Sequence, residues 1–321
     1  MNARRLLLTI LFLAGLAGAA SAQTWPNRPI RVLIPFGAGS ATDVVPRIVF
    51  EQLSQQLGQP IVVENRTGAG GTLATGAVAK ADPDGYTLLA TSNAHTIAPF
   101  LYGNLSYDVA QDFAAVSPFV SLPAVLIIAP AKGIRTLQEL VTAAKAKPGA
   151  INFASVGIGS GTHLSVEKFK VHAGLDLVHV PFRGGPEALT EVIAGRVELY
   201  FCPLNTALPH IREGKVTALV VNTPTRVPAL PDVPTLAEAG YPNADVPVWL
   251  GMFAPAKTPR DIVDKLNRET VKALQSAGTL EKLAKSGADA MPMTPQQFEA
   301  LVAKELPANA ELIKAAGIKV N

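Results

Sequence analysis

The chain has 321 residues, of which 26 are Gly, 26 are Pro and 48% are hydrophobic. This composition excludes collagen, a coiled coil and an intrinsically disordered chain, and the length suffices for two hydrophobic cores, because one core stops growing near about 250–300 residues. A formal net charge of +3 gives no basic field for nucleic-acid binding, and the single cysteine, Cys202, excludes intramolecular disulfides and multi-cysteine metal sites.

The N-terminal segment predicts an export signal. Arg4 and Arg5 precede an apolar stretch over residues 6–20, which ends in the small residues Ala20-Ser21-Ala22. This is the order of a cleaved secretory signal peptide, and the stretch is shorter than the roughly 20 apolar residues that a membrane-spanning helix needs. We therefore expect residues 1–22 to be removed and the mature protein to be soluble and periplasmic.

Short β-type runs alternate with amphipathic helical runs along the rest of the chain. Apolar and alternating runs predict strands over residues 30–35, 61–64, 87–91, 125–129, 152–155, 177–180, 199–201, 216–221 and 249–254. Runs with helical periodicity predict helices over residues 43–57, 71–80, 137–147, 163–173, 186–194, 206–213, 259–274 and 295–315. This alternation predicts the α/β class, with parallel sheets covered by helices.

Two proline-marked passages divide the chain into two predicted domains. Pro118 and Pro123 flank the first passage, and four prolines between residues 224 and 234 mark the second. A chain that leaves one domain, builds another and returns gives domain I over 24–121 plus 223–321 and domain II over 122–222. Ligands of open α/β sheets bind outside the carboxyl ends of the strands, so we expect a ligand site in the cleft between the domains.

The loop PFGAGSATD, residues 35–43, follows the first predicted strand and opens a helix. Ser40 and Asp43 have the spacing of a capping box, which leaves the neighbouring N–H groups free to face the cleft. Helix N-termini with free N–H groups attract anions. The alternative that the residues leave open is a glycine-softened turn with an ordinary helix cap.

The loop ASVGIGSGTH, residues 154–163, has the same architecture in the other predicted domain. Its recurrence indicates a ligand whose carboxylate is received by backbone N–H groups from both loops. We expect hydroxyl groups of both loops to assist, namely those of Thr42, Ser155, Ser160 and Thr162. A bulky substitution at Gly37 or Gly157 is then expected to weaken binding with little loss of fold.

A third loop, PFRGGP over residues 181–186, also leads from a strand into a helix. Phe182 is suited to form an apolar wall, and Arg183 is suited to approach a carboxylate as a two-pronged donor. A surface arginine on a turn is the open alternative.

Other chemistries have weaker support in the sequence. The glycine loops lack the final glycine of a dinucleotide fingerprint, and neither a P-loop nor the glycine-flanked serine of α/β-hydrolases is present. His163 and Glu167 are spaced to share a metal ion or a proton relay, but the favoured explanation is a cleft-edge histidine that merely pairs with a surface glutamate. Cys202 is expected as a core or cleft-wall residue, and we expect no cofactor and no metal site.

These loops, in this order behind a signal peptide, resemble the Bug family, the extracytoplasmic solute receptors of tripartite tricarboxylate transporters. The resemblance covers nearly the whole mature chain and rests on the segments WPNRPIRVLIPFGAGSATD, VVENRTGAGGTLATGAVAKADPDGYTLL, NFASVGIGSGTHLSVEKFK, VPFRGGPEALTEVIAGRVELYF, ALPHIREGKVTALVV, ALPDVPTLAEAGYP and MFAPAKTP.

The resemblance implies a type II periplasmic-binding-protein fold, in which two α/β domains are joined by crossing strands and close on a small ligand. In the family, the first two loops hold the proximal carboxylate of the ligand through backbone amides and bridging waters. Carried over by position, the ligand-binding residues are Phe36, Gly37, Ala38, Gly39, Ser40, Thr42, Asp43, Ser155, Val156, Gly157, Gly159, Ser160, Thr162, His163, Phe182, Arg183, Gly184 and Cys202.

Three positions depart from the pattern of the family. The first loop has Gly-Ala-Gly-Ser where many relatives have Pro-Gly-Gly, Cys202 stands where many have Asp, and Arg183 replaces the commoner Lys. A receptor that uses that Asp to hold a ligand amine would lose the contact here, which argues against an amino-acid ligand.

The sequence therefore predicts a monomeric periplasmic receptor, not an enzyme, that captures a small carboxylate and delivers it to inner-membrane permease subunits. The rival hypothesis is an exported, hydrolase-like α/β enzyme that uses His163, Glu167 or Asp43 in the same cleft. A third hypothesis is a receptor that binds the same ligand but docks on a sensor protein.

Overall fold

A computed structural model describes residues 25–182, 184–246 and 248–318. The predicted signal peptide, residues 1–22, lies outside the described residues. The strands are β1 Ile30–Ile34, β2 Ile61–Asn65, β3 Thr87–Ser92, β4 Phe113–Ser121, β5 Ala124–Ile128, β6 Asn152–Ser155, β7 Val178–Pro181, β8 Leu199–Pro203, β9 Thr217–Val221, β10 Trp249–Pro255 and β11 Asp289–Ala290. The helices are α1 Ala41–Leu57, α2 Thr72–Ala79, α3 Ala94–Leu101, α4 Leu137–Ala146, α5 Gly161–Ala173, α6 Gly185–Ile193, α7 Leu204–Arg212, α8 Arg260–Gln275, α9 Ala277–Lys285 and α10 Pro295–Ala316.

The strands form two sheets. The first has the order β11-β4-β10-β3-β1-β2, and the second has the order β7-β6-β8-β5-β9. Strands from residues 30–121 and 249–290 build the first sheet, and strands from residues 124–221 build the second. The domain limits of 24–121 plus 223–321 and 122–222 stay a prediction.

The expectation of parallel sheets is wrong in part, because both sheets are mixed. Strands β1, β2 and β3 are parallel, but β10 runs antiparallel to both β3 and β4. Likewise β6 is parallel to β7 and β8, but β5 runs antiparallel to β8 and β9. Strands β5 and β10 each enter directly from the other sheet without a helical crossover, so nothing constrains them to the parallel direction.

The sequence patterns missed two strands and two helices. Strand β4 contains Pro118, which normally argues against a strand. Its pairing with β10 is irregular at that point, since the register shifts between Leu250 and Gly251, and such an irregularity tolerates the missing N–H group. Helix α3 contains Pro99 and is short, α9 is separated from α8 only by its N-cap Ser276, and β11 has two residues.

Helices cover both faces of each sheet. On the first sheet, α1, α8 and α9 supply one buried apolar cluster, and α2 and α10 supply the other, with Phe298 of α10 fully buried. On the second sheet, α4 and α5 cover one face, and α6 and α7 cover the other. Each sheet therefore has its own core, as the chain length predicts.

The two sheets are joined by crossing segments and by a separate apolar cluster. Asn222 lies at the end of β9, and its side chain accepts Ala124 N–H at 2.7 Å and donates to Val246 O at 3.2 Å. A further apolar cluster lies beside these crossing segments and packs α3, α5 and α10 together. It contains Ile97, Leu164, Val246, Leu312 and Ile313. We call this region the junction.

Candidate functional site

The two glycine loops occupy equivalent places in the two sheets. The first loop, residues 35–43, leads from the carboxyl end of β1 into α1, and the second loop, residues 155–163, leads from the carboxyl end of β6 into α5. Both strands lie inside their sheets with a neighbour on each side. Each loop therefore places a helix N-terminus at the carboxyl edge of its sheet, where ligands of α/β sheets bind.

The first loop is held by hydrogen bonds among its own residues. Gly39 N–H donates to Asp43 Oδ2 at 2.8 Å, and Ser40 Oγ donates to Gly37 O at 2.7 Å. Thr42 Oγ1 lies 2.9 Å from Ser40 Oγ. The expected capping box between Ser40 and Asp43 is absent, because the Ser40 hydroxyl turns to Gly37 O and Asp43 binds the N–H of Gly39 instead.

The second loop repeats this scaffold with His163 in the place of Asp43. Gly159 N–H donates to His163 Nδ1 at 3.2 Å, and Ser160 Oγ donates to Gly157 O at 2.7 Å. Thr162 Oγ1 lies 3.0 Å from Ser160 Oγ. Gly39 and Gly159 share a left-handed backbone, with φ of 81° and 77°, so both loops turn in the same way.

The same three backbone N–H groups are left over in each loop. Within the described residues, no acceptor is found for the N–H groups of Ala38, Ala41 and Thr42, nor for their counterparts in the second loop, Ile158, Gly161 and Thr162. The hydroxyl protons of the loops are engaged internally, since each serine donates to a glycine carbonyl and its one proton is then used. The donors that remain for an anion are therefore backbone N–H groups at two helix N-termini.

Asp43 supports the first loop from inside. Its side chain is buried, and Oδ1 receives Arg47 Nε at 2.8 Å and Asn65 Nδ2 at 2.9 Å. Asn65 also donates to Phe36 O at 3.0 Å. Burial acts to raise the pKa of Asp43, but the hydrogen bonds from Asn65, Gly39 N–H and Arg47 outweigh it and hold the pKa below its usual value. Asp43 is thus an ionised acceptor that fixes the loop.

A pair of stacked histidines lies beneath the second loop. The rings of His163 and His179 are 4.0 Å apart between centroids, and His179 Nε2 lies 2.6 Å from Ser155 Oγ. Burial lowers the pKa of His163 to about 3 and that of His179 to about 4. Both rings are therefore neutral near pH 7, and His163 Nδ1 is free to accept the N–H of Gly159.

Glu167 is buried, so its description as a surface residue is wrong. Its Oε1 accepts Lys170 Nζ at 2.9 Å and lies 3.7 Å from His163 Nε2. Burial raises the pKa of Glu167, although Lys170 acts against this. Within residues 25–182, 184–246 and 248–318, no group of three or more His, Cys, Asp or Glu side chains is arranged to hold a metal ion.

The second loop rests directly on the first sheet's elements. A Cβ atom on Gly159 would lie 2.2 Å from Leu101 Cδ1 of α3, and one on Gly161 would lie 2.6 Å from Val248 Cγ2. Gly37 and Gly157 have open space instead, but Gly157 has a φ of 116°, which L side chains rarely adopt. Of these four glycines, only Gly37 therefore has both space for a side chain and a backbone that L residues adopt freely.

The remaining candidate residues have varied surroundings. Phe182 is partly buried against the second sheet, and its N–H donates to Ser155 O at 2.9 Å, which ties the third loop to the second. Arg183 lies outside the described residues, and Gly184 has an extended backbone before α6. Cys202 is fully buried in an apolar cluster opposite Val125, and burial raises the pKa of its thiol. Its part in ligand binding stays a prediction without support from its surroundings.

Sequence reasoning missed Asn65, Arg47 and His179 as individual supports of the loops. Asn65 and Arg47 lie outside the two glycine loops, and His179 has no ligand spacing in the sequence. The strand register places His179 opposite Phe153, two residues from Ser155, on adjacent parallel strands. A Ser and a His on two neighbouring short strands is the signal that could have found this contact.

Two cavities lie elsewhere on the protein. One of about 430 Å³ is lined by α2 and residues 104–107, and one of about 410 Å³ lies around Arg28, Arg31 and Lys80. Neither is lined by a residue of the two glycine loops. Among the described helices, none combines the length and the apolar character that crossing a membrane requires.

Comparison with known proteins gives a consistent result. The model of the tripartite tricarboxylate transporter family receptor, TctC, matches residues 45–318. Protein BugT of Bordetella pertussis is 37% identical over 325 residues, which cover 100% of both chains.

Solved structures agree with this comparison. The structure of the periplasmic binding protein BugD is 34% identical, with a TM-score of 0.79, over 92% of this chain and 100% of that one. MatC from Rhodopseudomonas palustris with bound malate is also 34% identical, with a TM-score of 0.79, over 90% and 100% of the two chains. The expected fold class, a periplasmic-binding-protein-like α/β fold, is confirmed.

Proposed function

Because the chain belongs to the Bug family of tripartite tricarboxylate transporter receptors, we propose that it is a periplasmic receptor that captures a small carboxylate and delivers it to its transporter. The solved relative MatC binds malate, which makes a short dicarboxylate the first ligand class to test. Delivery requires docking on inner-membrane permease subunits, and the receptor acts in this scheme as a monomer without a cofactor or catalytic residue.

The observation that carries the proposal is the repeated set of N–H donors. Three unpaired N–H groups occur at the same positions of the two loops, each at the start of a long helix. A helix N-terminus is equivalent to roughly +0.5 elementary charge, so two of them balance about one carboxylate. Backbone groups can therefore receive an anion here without a basic side chain, as the near-neutral charge of the chain allows.

Closure of the two sheet units on the ligand completes the proposed mechanism. The open form binds the carboxylate at one loop, and the ligand then bridges to the other, so that the closed population rises by the difference in affinity between the two forms. In this scheme, residues 36–43 and 155–163 bind the carboxylate. Phe182, Arg183 and Gly184 form a third wall, whereas Cys202 lies behind the binding surface.

Calorimetric titration of the mature protein tests the proposal. Malate and longer dicarboxylates, an aromatic monocarboxylate and a neutral sugar form the ligand set, and we expect binding by at least one carboxylate and none by the sugar. A folded protein that bound the sugar and no carboxylate would contradict the proposal.

Uptake of the identified carboxylate by cells that lack the gene, with and without complementation, tests delivery to the transporter and separates it from a signalling role.

One contact favours the rival hypothesis of an exported hydrolase. Ser155 Oγ and His179 Nε2 are 2.6 Å apart, which meets one geometric requirement of an activated nucleophile. However, Ser155 is fully buried, and its Oγ also accepts the N–H of Gly157 at 3.1 Å. The Ser155–His179 contact therefore also has a structural role, which is to hold the second loop in place. Ester or amide turnover that disappears in both Ser155→Ala and His179→Ala would favour the enzyme.

A further inference from the structure

Glu305 of α10 places its carboxyl group at the junction. Its Oε1 accepts Trp249 Nε1–H at 2.8 Å, and its Oε2 lies 2.8 Å from Thr96 Oγ1. Trp249 is the first residue of β10 after the crossing segment, and Thr96 lies in the first turn of α3. One carboxyl group thus connects α10, β10 and α3.

The hydrogen bonds around Thr96 indicate that Glu305 carries a proton in this arrangement. Thr96 Oγ1 lies 2.9 Å from Asn93 O, 2.8 Å from Glu305 Oε2, and receives Asn309 Nδ2 at 3.0 Å. A threonine hydroxyl has one proton, so it cannot donate to both the carbonyl and a carboxylate. A protonated Glu305 donates to Thr96 Oγ1 and leaves the Thr96 proton for Asn93 O, which satisfies every contact.

Burial acts in the same direction. It raises the pKa of Glu305 to about 7, even though hydrogen bonds from Trp249 and Thr96 and the charge of Lys168 favour the ionised form. A carboxyl group with this pKa changes its charge in the neutral pH range, where an ordinary glutamate is already ionised.

The positive charge of Lys168 acts on Glu305, and this lysine lies on α5, which packs on the second sheet. Its Nζ donates to Asp245 O in the crossing segment at 2.7 Å, and the charges of Asp245 and Lys304 act on it in turn. The titratable side chain of α3 is His95, whose ring lies against those of Phe113 and Phe253. Strands β4 and β10 carry no titratable side chain, and α8 pairs Arg260 with Asp264 and Arg268 with Glu269.

Both partners of Glu305 hold Asn93, which lies beside the second loop. Thr96 donates to Asn93 O through its N–H at 3.1 Å and its hydroxyl at 2.9 Å, and Asn93 N–H donates to Trp249 O at 3.2 Å. The Asn93 side chain is 3.7 Å from the position that a Cβ atom on Gly161 would occupy. A change in the protonation of Glu305 can therefore reach Asn93, beside the second loop, through Thr96 and through Trp249.

We propose that Glu305 is a proton-binding switch at the junction, which sets how firmly the second loop and α5 are held against the first sheet. When the carboxyl group loses its proton to solvent, the Thr96 hydroxyl turns from Asn93 O to the carboxylate. At the same time, Lys168 gains a negative partner across the junction. The switch is a property of the unliganded protein and goes beyond the capture of a carboxylate.

The fluorescence of Trp249 reports the state of Glu305 directly. Trp25 and Trp249 are the two tryptophans of the chain, so a Trp25→Phe variant leaves Trp249 as the sole indole. We expect its emission to titrate once between about pH 5 and pH 9, with a midpoint near 7. The isosteric change Glu305→Gln in the same background should abolish the transition. A flat profile, or a transition that survives Glu305→Gln, overturns the proposal.

Two further measurements test whether the switch reaches across the junction. Lys168→Met should move the midpoint to higher pH, because the ammonium favours the carboxylate, whereas Lys170→Met on the same helix should leave it unchanged. The backbone amide resonances of Gly159 and Gly161 should titrate with the same midpoint as Trp249, and that of Gly39 in the first loop should not. An unshifted midpoint in Lys168→Met together with silent second-loop amides would confine the effect to α10 and overturn the proposed switch. None of these readouts uses a ligand, so they are independent of the proposed function.

Discussion

Asp43 and His163 occupy the same place in the two loops, although one is an ionised carboxylate and the other a neutral imidazole. Each accepts the N–H of the glycine four residues before it, Gly39 or Gly159. What the scaffold requires at this position is therefore an acceptor and not a charge. This explains how loops with the same backbone geometry arise from side chains of different chemistry, and it leaves the same N–H groups in each loop as the proposed donors to an anion.

Replacement of Ala41 by proline tests one of those donors. Ala41 is exposed at the first position of α1, where proline fits the helix, and the extended Ser40 before it suits a following proline. Ala41→Pro therefore removes one N–H group with little change in fold. A hydrogen bond to a charged group contributes about 1.5–3 kcal/mol, so we expect roughly 10–100-fold weaker carboxylate binding. Calorimetry should show this loss in Ala41→Pro but not in Ala41→Gly, which keeps the N–H group. Equal affinities of the two variants for the carboxylate would show that the N–H group of Ala41 does not take part in binding.

At the scale of elements, the sequence predicted the loops better than it predicted the sheets. Nine strands and eight helices were placed within a few residues, because Gly-rich loops and apolar runs mark their ends locally. The direction of β5 and β10 was predicted wrongly, because a buried apolar run looks the same in a parallel and an antiparallel strand. The Ser155–His179 contact and the place of Glu305 at the junction depend on register and on helix packing, which no local pattern contains.

The junction between the elements depends on Asn222. This buried side chain accepts Ala124 N–H and donates to Val246 O, so it links the two crossing segments. Asn222→Ala would leave a buried donor and a buried acceptor unpaired, at a cost of about 2–4 kcal/mol in the free energy of unfolding. Urea denaturation should show a lower midpoint for Asn222→Ala, whereas Asn104→Ala at an exposed position serves as the control. A loss below about 0.5 kcal/mol would mean that water replaces both bonds.

At the scale of the whole molecule, buried titratable groups act on stability in opposite directions. Burial lowers the pKa of His95 and His163 to about 3 and that of His179 to about 4, so in acid the unfolded chain binds protons that the folded protein excludes. Glu305 has the reverse effect. Its pKa of about 7 lies above the ordinary 4.5, so the folded protein binds the extra proton. The contribution of the histidines is therefore complete above about pH 6.5, whereas that of Glu305 is complete below about pH 4.5 and is lost as the pH rises to about 7.

These signs predict that stability rises with pH up to about pH 7 and then levels off. As the pH falls from about 6.5 towards 4, the free energy of unfolding should decrease. Three histidines bind protons only in the unfolded chain, whereas one glutamate, Glu305, binds an extra proton in the folded protein. His95 is the residue to remove, since both its ring nitrogens are buried without a hydrogen-bond partner among aromatic rings. His95→Met should make the profile shallower below about pH 6.5 and leave it level above about pH 7. Glu305→Gln should make the rise steeper, because the variant gains stability over the parent as the pH increases from about 4.5 to about 7. Chemical denaturation of the three proteins across the pH range measures these slopes. A rise as steep in His95→Met as in the parent would show that His95 is hydrated or already charged in the folded protein.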